Sequence, residues 1–514
     1  MKKYLFILST MLASSVLSAE NEPWPLQGKS FFSPRSQSTN AARDAVGWHR
    51  FINKNNRRGF SGAFAITPEY NRAYKTRQVA EYFFGTDTIT ISGSTIANRG
   101  TNDILADYFG LSTDYQSCVH ICPKVQNALI DFALYLAWGP VYFRIHAPYV
   151  WNQTEMELIE TTLFSGSDTL YPAFYMAQAE VQPPAQTFKQ AMTGGFTWGN
   201  VQEGLKFGKV ACAELSENKL SDIEFALGWN FLQRERGVVG GSLRASAPTG
   251  TIPTSTYLLE PIVGSGHHWQ CGVGFNMQGL IWEKDADQRV DLIFDINIMH
   301  LFKSRQIRSF DLQKNGFGSR YILVKEFNEN GVYTGKSQPL INITSLPCLI
   351  DAAAQIDFII MFGYQNSGCS FDIGYNGWIR TAEGVELDCC FAKNRWGLKG
   401  IANVANIVGP VNDTQSSATI QGNALSEQAM VIDDSPPVFI NTCDLDLRSG
   451  AASRQFTHKL FAHGSYAWID MRYAQPYVGL GFSVEFAGKR PKDLQPNKNS
   501  MSMWAFWLKT GAGF

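Results

Sequence analysis

The last twelve residues of the chain, Met503 to Phe514, read MWAFWLKTGAGF. Alternate residues form a mostly apolar row that runs Trp504, Phe506, Leu508, Thr510, Ala512 and Phe514. The intervening positions are small or polar apart from Trp507. Because successive side chains of a β-strand point to opposite faces, this stretch predicts a strand with one face in apolar surroundings and the other in polar ones.

An aromatic C-terminus after alternating apolar residues resembles the terminal strand of Gram-negative outer-membrane β-barrel proteins, a porin-like class. The resemblance implies that this strand is read by the barrel-assembly machinery and that Trp504, Phe506, Leu508 and Phe514 face the lipid bilayer. It reaches no specific transport family. An edge strand of a soluble β-sandwich has the same local pattern, so the rest of the chain has to decide.

The N-terminus has the features of a secretory signal peptide over residues 1–19. Lys2 and Lys3 precede an apolar run from Tyr4 to Leu17, and small residues follow up to Ala19, where we expect cleavage. Beyond this segment no run of 18 or more apolar residues occurs, so the sequence predicts no helical membrane span. The chain is therefore expected to be exported.

The composition suits a membrane barrel. Aromatic residues make up 13% of the chain and charged residues 17%, below the usual quarter, and there are 45 glycines. These values fit strands with one face in lipid and aromatic girdles at both interfaces. The net charge of -1 argues against nucleic acid as a partner.

The alternation of the terminal strand recurs along the chain. Ile130 to Trp138 and Val141 to Ala147 keep the same phase across a Gly139-Pro140 turn, as two neighbouring strands of one wall must. Similar pairs follow at 222–247, 269–298, 356–380 and 460–486. Residues 59–514 thus predict an all-β, antiparallel transmembrane β-barrel of about twelve strands, with fourteen as the alternative.

Turn lengths give the barrel an orientation. Short turns alternate with long segments at 75–124, 151–218, 249–266, 303–352, 381–456 and 488–501. Short periplasmic turns and long extracellular loops are typical of outer-membrane barrels. Residues 20–58 lack strand alternation and are predicted to be either a periplasmic segment or a plug in the lumen.

The phase of the strands assigns a set of candidate pore-lining residues to the lumen. They are Asp131, Tyr135, Arg144, His146, Asp222, Glu224, Arg244, Asp291, Asp295, Asp357, Asp372, Arg380, Glu485 and Lys509. If they line a water-filled pore, the protein is a passive channel for small polar solutes, and its excess of acids favours cations. If the acids and bases of the wall pair with each other, they support the barrel without transport.

Two other functions compete with the channel. The long loops could make the protein an adhesin or a structural outer-membrane protein. Outer-membrane hydrolases use Ser/His or Asp/His groups near the outer rim, and His463-Gly464-Ser465 and His267-His268 are the nearest matches. Neither has a recognisable orienting partner, so we expect no enzyme and assign no catalytic residue.

The cysteines give no metal or cofactor signal. There are nine, an odd number for an exported chain, and Cys118 and Cys122 are close enough in sequence to bridge within one loop. The Cys-x3-Cys and Cys-Cys spacings lack partners at zinc-site distances, so we expect no metal and no cofactor.

The assigned phase makes a testable prediction. Leu134→Arg places a charge in lipid and should cost about 2–4 kcal/mol of folding free energy, whereas Ala133→Arg should mainly alter the lumen. Urea titration of each variant folded into bilayers measures both costs. Equal costs for the two substitutions would show that the phase is wrong.

Overall fold

The computed structural model describes residues 28–52, 59–167, 170–171, 175–176, 181–285, 287–400, 411–422, 436–471, 473–487 and 500–514. The predicted signal peptide and its cleavage site lie outside these residues.

The described residues are mostly β-strand. In chain order the strands are β1 (Phe60–Ala73), β2 (Thr88–Ser92), β3 (Ile104–Leu105), β4 (Gln116–Trp138), β5 (Val141–Phe164), β6 (Leu215–Leu220), β7 (Ile223–Arg234), β8 (Gly237–Ala247), β9 (Gln270–Glu283), β10 (Gln288–Ser309), β11 (Asp311–Leu312), β12 (Leu323–Phe327), β13 (Tyr333–Pro339), β14 (Ser345–Asn366), β15 (Cys369–Arg380), β16 (Glu383–Leu387), β17 (Trp396–Leu398), β18 (Leu445–Asp446), β19 (Gln455–Ala467), β20 (Gln475–Ala487) and β21 (Met503–Gly513).

The helices are short. The α-helices are α1 (Ala41–Ala45), α2 (Arg77–Phe84), α3 (Phe188–Met192) and α4 (Ile341–Thr344), and 3-10 turns cover Ala106–Phe109, Ser319–Tyr321, Thr442–Asp444 and Leu447–Gly450. Within the described ranges, no helix has the length and apolar character to cross a membrane.

Twelve of the strands pair into one closed ring. Their order is β1, β4, β5, β7, β8, β9, β10, β14, β15, β19, β20 and β21, and every pair is antiparallel. The ring closes where β1 pairs with β21, from Ala63 opposite Gly513 to Ala73 opposite Met503. The prediction of a twelve-stranded antiparallel barrel is confirmed, and the fourteen-stranded alternative is wrong.

The outer wall of the ring is apolar. Phe132, Leu480 and Phe506 are each about half exposed, while Trp507 and Lys509, one position out of phase with Phe506, are buried inside. From Trp504 to Phe514 the strand rises about 33 Å, which a tilt of about 40° reduces to about 25 Å across the membrane. This height matches the apolar band of a transmembrane barrel.

The two ends of the barrel differ. At the turn end, neighbouring strands are joined by residues 139–140, 235–236, 284–287, 367–368 and 468–474. At the loop end, the connections are 74–115, 165–222, 248–269, 310–344, 381–454 and 488–502. The expected alternation of short turns and long loops is confirmed.

Four strands are longer than the membrane requires. The strands β4, β5, β10 and β14 have 22 to 24 residues, whereas about 9–11 suffice to span a bilayer. The predicted loops 75–124, 151–218 and 303–352 are therefore longer than the actual connections, because each of them includes residues that belong to these strands. The reason is a change of polarity along one continuous strand. On the loop-end half of β4 the inward Val119 and Ile121 are apolar, whereas the outward His120 and Lys124 are polar.

These strand extensions enclose a second core above the membrane. With the described parts of the long loops they form the cap, whose buried cluster includes Phe83, Ile91, Leu158, Val324 and Ile350. A three-stranded sheet of β13, β12 and β17 and a two-stranded sheet of β11 and β18 complete the cap. The cap is thus a folded layer with its own apolar core.

Polar groups are also built into the cap. The Asp107 carboxylate accepts hydrogen bonds from the backbone N and the hydroxyl of Ser94, at 3.0 and 2.6 Å, and burial raises its pKa. Burial lowers the pKa of Lys399 to about 8, and its Nζ lies 3.9 Å from the ring centroid of Tyr175. Buried, partnered polar groups of this kind indicate an ordered layer.

Residues 28–52 cross the lumen, and we call this segment the plug. Near the cap, the backbone N of Ser30 donates to Ser449 O at 2.9 Å. Near the turn end, Arg50 Nη2 donates to Cys369 O at 3.2 Å. Between these points lies α1, capped by the Asn40 side chain, which accepts a hydrogen bond from Arg43 N. The plug therefore runs from the loop end of the barrel to the turn end.

Inward-facing glycines make room for large side chains, which yields a prediction. A Cβ at Gly481 would lie 2.2 Å from the Trp507 ring, whereas a Cβ at the outward-facing Gly464 would have no atom within 4 Å. Gly481→Val should therefore destabilise the folded barrel by about 1–3 kcal/mol through overpacking, measured by urea unfolding. Gly464→Val is the control and should be near neutral. A similar loss in both would contradict the packing.

Candidate functional site in the plugged lumen

The candidate pore-lining residues all face the interior of the barrel. Most are buried, and Arg144, Glu224 and Asp295 are partly buried. Asp222 immediately precedes β7. The lipid-facing candidates lie on the opposite row, with Phe506 and Phe514 nearly half exposed and Trp504 and Leu508 partly exposed. The two rows are separated as the sequence phase requires.

The first plug contact lies in the half of the lumen nearer the cap, around Arg35. Its guanidinium lies 2.9 Å from Asp357 Oδ1 and 3.1 Å from Glu485 Oε1. The other oxygen of Asp357 accepts the backbone N of Ala41 at 2.9 Å. Two predicted wall acids are thus neutralised by a plug arginine.

The middle of the lumen holds Arg43, which is 1% exposed. Its Nη1 lies 3.2 Å from Glu69 Oε2, and its Nε lies 3.2 Å from Asp131 Oδ2. The wall also reaches the plug backbone, because Lys509 Nζ donates to the carbonyl oxygens of Arg43 and Asp44 at 2.8 and 3.1 Å. Charges of both signs on the wall therefore find partners on the plug.

Near the turn end, Asp372 is fully buried and collects three groups. It accepts the backbone N of Gly47 at 2.8 Å, and the Nδ1 atoms of His49 and His463 each lie 3.3 Å from it. These contacts bear on the hydrolase alternative. The Ser465 hydroxyl pairs with Ser370 at 2.6 Å, and no hydrogen bond among the described residues joins it to His463. His463 therefore contacts Asp372, and not the Ser465 hydroxyl that a hydrolase would use as its nucleophile.

Hydroxyl groups of the plug satisfy a further part of the wall. Ser36 Oγ donates to Asp222 Oδ2 at 3.1 Å, and Ser38 Oγ donates to the backbone oxygen of Asp222 at 2.6 Å. Arg380 donates to Ser33 Oγ at 2.8 Å. The serines of this segment, which lacks strand alternation in the sequence, are thus hydrogen-bonding partners of wall residues.

Some wall residues pair with each other. Arg244 lies 3.4 Å from Glu224, and Asp291 lies 2.9 Å from Arg289. Tyr135 stacks on Tyr142 with ring centroids 5.5 Å apart. These pairs follow the second reading of the lumen residues, in which wall charges neutralise one another. The larger part of the charged set contacts the plug instead, a partner that neither reading included.

The sequence contained a weak signal for this partner. The plug stretch SPRSQSTNAARD combines small hydroxyl residues with Arg35 and Arg43 in a segment that lacks strand alternation. The predicted lumen carries more acids than bases. Charge complementarity between the two could have favoured the plug over the periplasmic segment, although it could not have specified which residues meet.

The fold excludes a bridge between Cys118 and Cys122, which their spacing in the sequence had left possible. Both residues lie on β4, four positions apart on one strand. At about 3.3 Å per residue their Cα atoms are about 13 Å apart, beyond the roughly 7 Å that a disulfide tolerates. The possibility came from treating residues 75–124 as a loop.

Comparisons with known proteins give structural neighbours only. No protein-family model matches the chain, and no curated protein matches it. An outer membrane channel from Pseudomonas putida F1 has 9% identity and a TM-score of 0.35, and the match covers 90% of this chain and 100% of that one.

Two further structures are similar in outline. The CymD monoaromatic hydrocarbon channel has 9% identity and a TM-score of 0.28, with 96% and 98% of the two chains covered. A Pseudomonas aeruginosa FadL homologue has 8% identity and a TM-score of 0.26, with 88% and 90% covered. Similarities this low say nothing about a shared function, and the barrel assignment rests on the strand pairing itself.

The burial of Arg43 leads to a prediction. Arg43→Met leaves the Glu69 and Asp131 carboxylates buried without their cation, which should cost about 3–5 kcal/mol in urea unfolding. The triple variant Arg43→Met/Glu69→Gln/Asp131→Asn removes all three charges and should recover most of that loss. A single variant as stable as wild type would show that these charges do not hold the plug.

Proposed function

We propose that this protein is a gated passive channel of the bacterial outer membrane, closed by its plug and selective for small polar solutes when open. The observation that carries the proposal is the set of ion pairs and hydrogen bonds between plug and wall, which lie beside apolar contacts of Val46 and Trp48. Arg35, Arg43, Asp357, Asp372 and Lys509 all lie in that interface.

The polar contacts between plug and wall can be exchanged for contacts with water, which apolar contacts cannot. When an apolar core opens, its surfaces meet water at a cost of about 25 cal/mol per Å². When the plug leaves, the carboxylates and guanidinium groups of the wall exchange protein partners for water, and the net loss is about 1.5–3 kcal/mol per hydrogen bond to a charged group. The lumen would remain wettable after the plug has moved.

The connection of the plug limits its route of exit. Its last described residue is Ile52, and β1 begins at Phe60 at the turn end of the barrel. Displacement toward the turn end, the periplasmic side, therefore needs no crossing of the lumen by the linking residues. The cap, which lies over the opposite end, would constitute the outer vestibule.

An emptied barrel would have the size of a small-solute pore. Twelve strands about 4.8 Å apart and tilted about 40° place opposite backbones roughly 24 Å from each other. Side chains would narrow the passage to at most about a nanometre. Acids outnumber bases among the wall residues that the plug now covers, so we propose a mild preference for cations.

The proposed location follows from the same features. A closed ring with an apolar outer band and an aromatic terminal strand fits the outer-membrane bilayer, with assembly through β21. A surface-binding role is the second candidate, favoured by the apolar core and small sheets of the cap. Barrel loops that serve only as links need no such core.

Single-channel recording in planar bilayers tests the proposal. Ser38 Oγ and Ser221 Oγ are 2.9 Å apart, so Ser38→Cys/Ser221→Cys places two thiols where a disulfide can tie plug to wall. Wild type should show rare openings, Arg43→Met more frequent ones, and the oxidised double-cysteine variant none. A reductant should restore its openings, with the single variant Ser38→Cys as the control for native thiols.

Two outcomes would overturn the gated channel. In one, the oxidised cross-link conducts as wild type does. In the other, a barrel that lacks residues 28–52 folds, as shown by heat-modifiable migration in gels, yet never conducts. The second outcome would leave the cap and its surface as the functional part of the protein.

A further inference from the structure

A cluster of His146, Asp44 and Asp131 occupies the middle of the lumen, where α1 of the plug meets β4 and β5. One candidate ligand atom from each residue lies within 4.8 Å of the other two. The His146 and Asp131 side chains are each 3% exposed, and that of Asp44 is 9% exposed. The plug and the wall both contribute to this cluster.

Four candidate ligand atoms of the cluster make ion-pair contacts at most and no hydrogen bond of normal geometry. Both ring nitrogens of His146 are buried without a hydrogen bond, as are Asp44 Oδ1 and Asp131 Oδ1. The nearest approach of His146 Nδ1 is to Asp131 Oδ1 at 3.5 Å, an ion-pair distance. The other ring nitrogen, Nε2, lies 3.7 Å from Asp44 Oδ2 and 3.3 Å from Glu224 Oε2. Buried polar atoms nearly always make hydrogen bonds, so a cluster that makes only these long ion-pair contacts is a candidate site for a further ligand.

The neighbouring cations do not fill this gap. Arg43 Nε lies against the other Asp131 oxygen, Oδ2. Lys509 and Arg144 donate to the backbone oxygen of Asp44 rather than to its carboxylate. Arg244 contacts Glu224 Oε2. Asp44 Oδ2 and Asp131 Oδ1 instead lie 3.7 and 3.5 Å from the nitrogens of the His146 ring, too far for good hydrogen bonds.

We propose that Asp44, Asp131 and His146 bind a divalent first-row transition metal ion that joins the plug to the wall. One imidazole nitrogen with two carboxylate oxygens suits Mn²⁺, Fe²⁺ or Zn²⁺. Ligand atoms at about 2.0–2.2 Å from a tetrahedral ion are about 3.4 Å apart, close to the present separation of His146 and Asp131. Asp44 Oδ2 lies 3.7 Å from the other ring nitrogen, Nε2, so the Asp44 carboxylate has to turn toward Nδ1 to complete the set.

The surroundings of His146 support this assignment. Its Nε2 lies 3.3 Å from Glu224 Oε2. If Nδ1 holds the ion, Nε2 can donate to Glu224, which then fixes the tautomer and the orientation of the ring. Such outer carboxylates usually accompany metal-bound histidines. The ion would add a third kind of interaction between plug and wall, besides the ion pairs and the serine hydrogen bonds.

The test uses Mn²⁺ as the probe, because the nine cysteines prefer softer metals. The full mature chain is refolded in micelles with Mn²⁺, and binding is followed by the loss of the free-ion electron paramagnetic resonance signal. Wild type should bind one Mn²⁺ per chain. His146→Gln and Asp44→Asn should each weaken binding at least tenfold.

A matched control is available in the same lumen. His49→Gln alters another buried plug histidine, which faces Asp372, and should bind Mn²⁺ as wild type does. Asp44→Asn lies on the plug and leaves strand pairing intact, so it gives a result even if His146→Gln fails to fold. The proposal is overturned if folded wild type binds no Mn²⁺, or if Asp44→Asn binds as tightly as wild type. Conductance plays no part in this test, so it is independent of the proposed channel.

Discussion

The structure depends on the pairing of β1 with β21. In hydrocarbon an unpaired backbone N–H or C=O costs several kcal/mol, so a membrane sheet with two free edges cannot persist. The hydrogen bonds from Ala63–Gly513 to Ala73–Met503 remove both edges at once. Because β1 and β21 are the first and last strands of the wall in chain order, the ring is complete only after β21 has paired with β1.

Closure of the wall leaves inward side chains that need partners, and the plug supplies them. A ring of twelve strands encloses inward side chains that cannot all reach one another across the lumen. Residues 28–52 bring cations to Asp357, Glu485 and Glu69, and backbone oxygens to Lys509. A buried ionic arrangement of this kind adds little net stability, but it penalises any misplacement heavily. The plug is therefore positioned by specific charges, together with apolar packing of Val46 and Trp48 against the wall.

The sequence predicted the membrane wall well because lipid imposes a strict rule on every second residue. Phe132, Leu480 and Phe506 obey it, and the twelve strands could be counted from such rows. The same rule predicts too short a strand at β4, which begins at Gln116. Above the membrane the inward positions, such as Val119 and Ile121, are apolar and the outward positions are polar. The apolar residues therefore move from the outer face to the inner face of the strand, although the strand itself continues.

The lumen could be predicted only in part. The strand phase specified which residues point inward, because phase is a local property. The partner of each residue was not local. Arg35 lies 322 residues from Asp357 in the chain and 2.9 Å from it in space. Such a pair leaves no mark in spacing or periodicity, and the hydrogen-bonded serines of the plug resemble those of any loop.

The N-terminal part of the chain passes through the ring that its own strands form. Residue 28 lies beside the cap, whereas β1 starts from the opposite rim. Chains rarely pass through loops that they have closed, because the free end must first travel through a finished hole. Here that difficulty disappears if the plug lies against the open sheet before β21 docks. The last strand would then act as the clasp that encircles the N-terminal segment and secures it without a covalent bond.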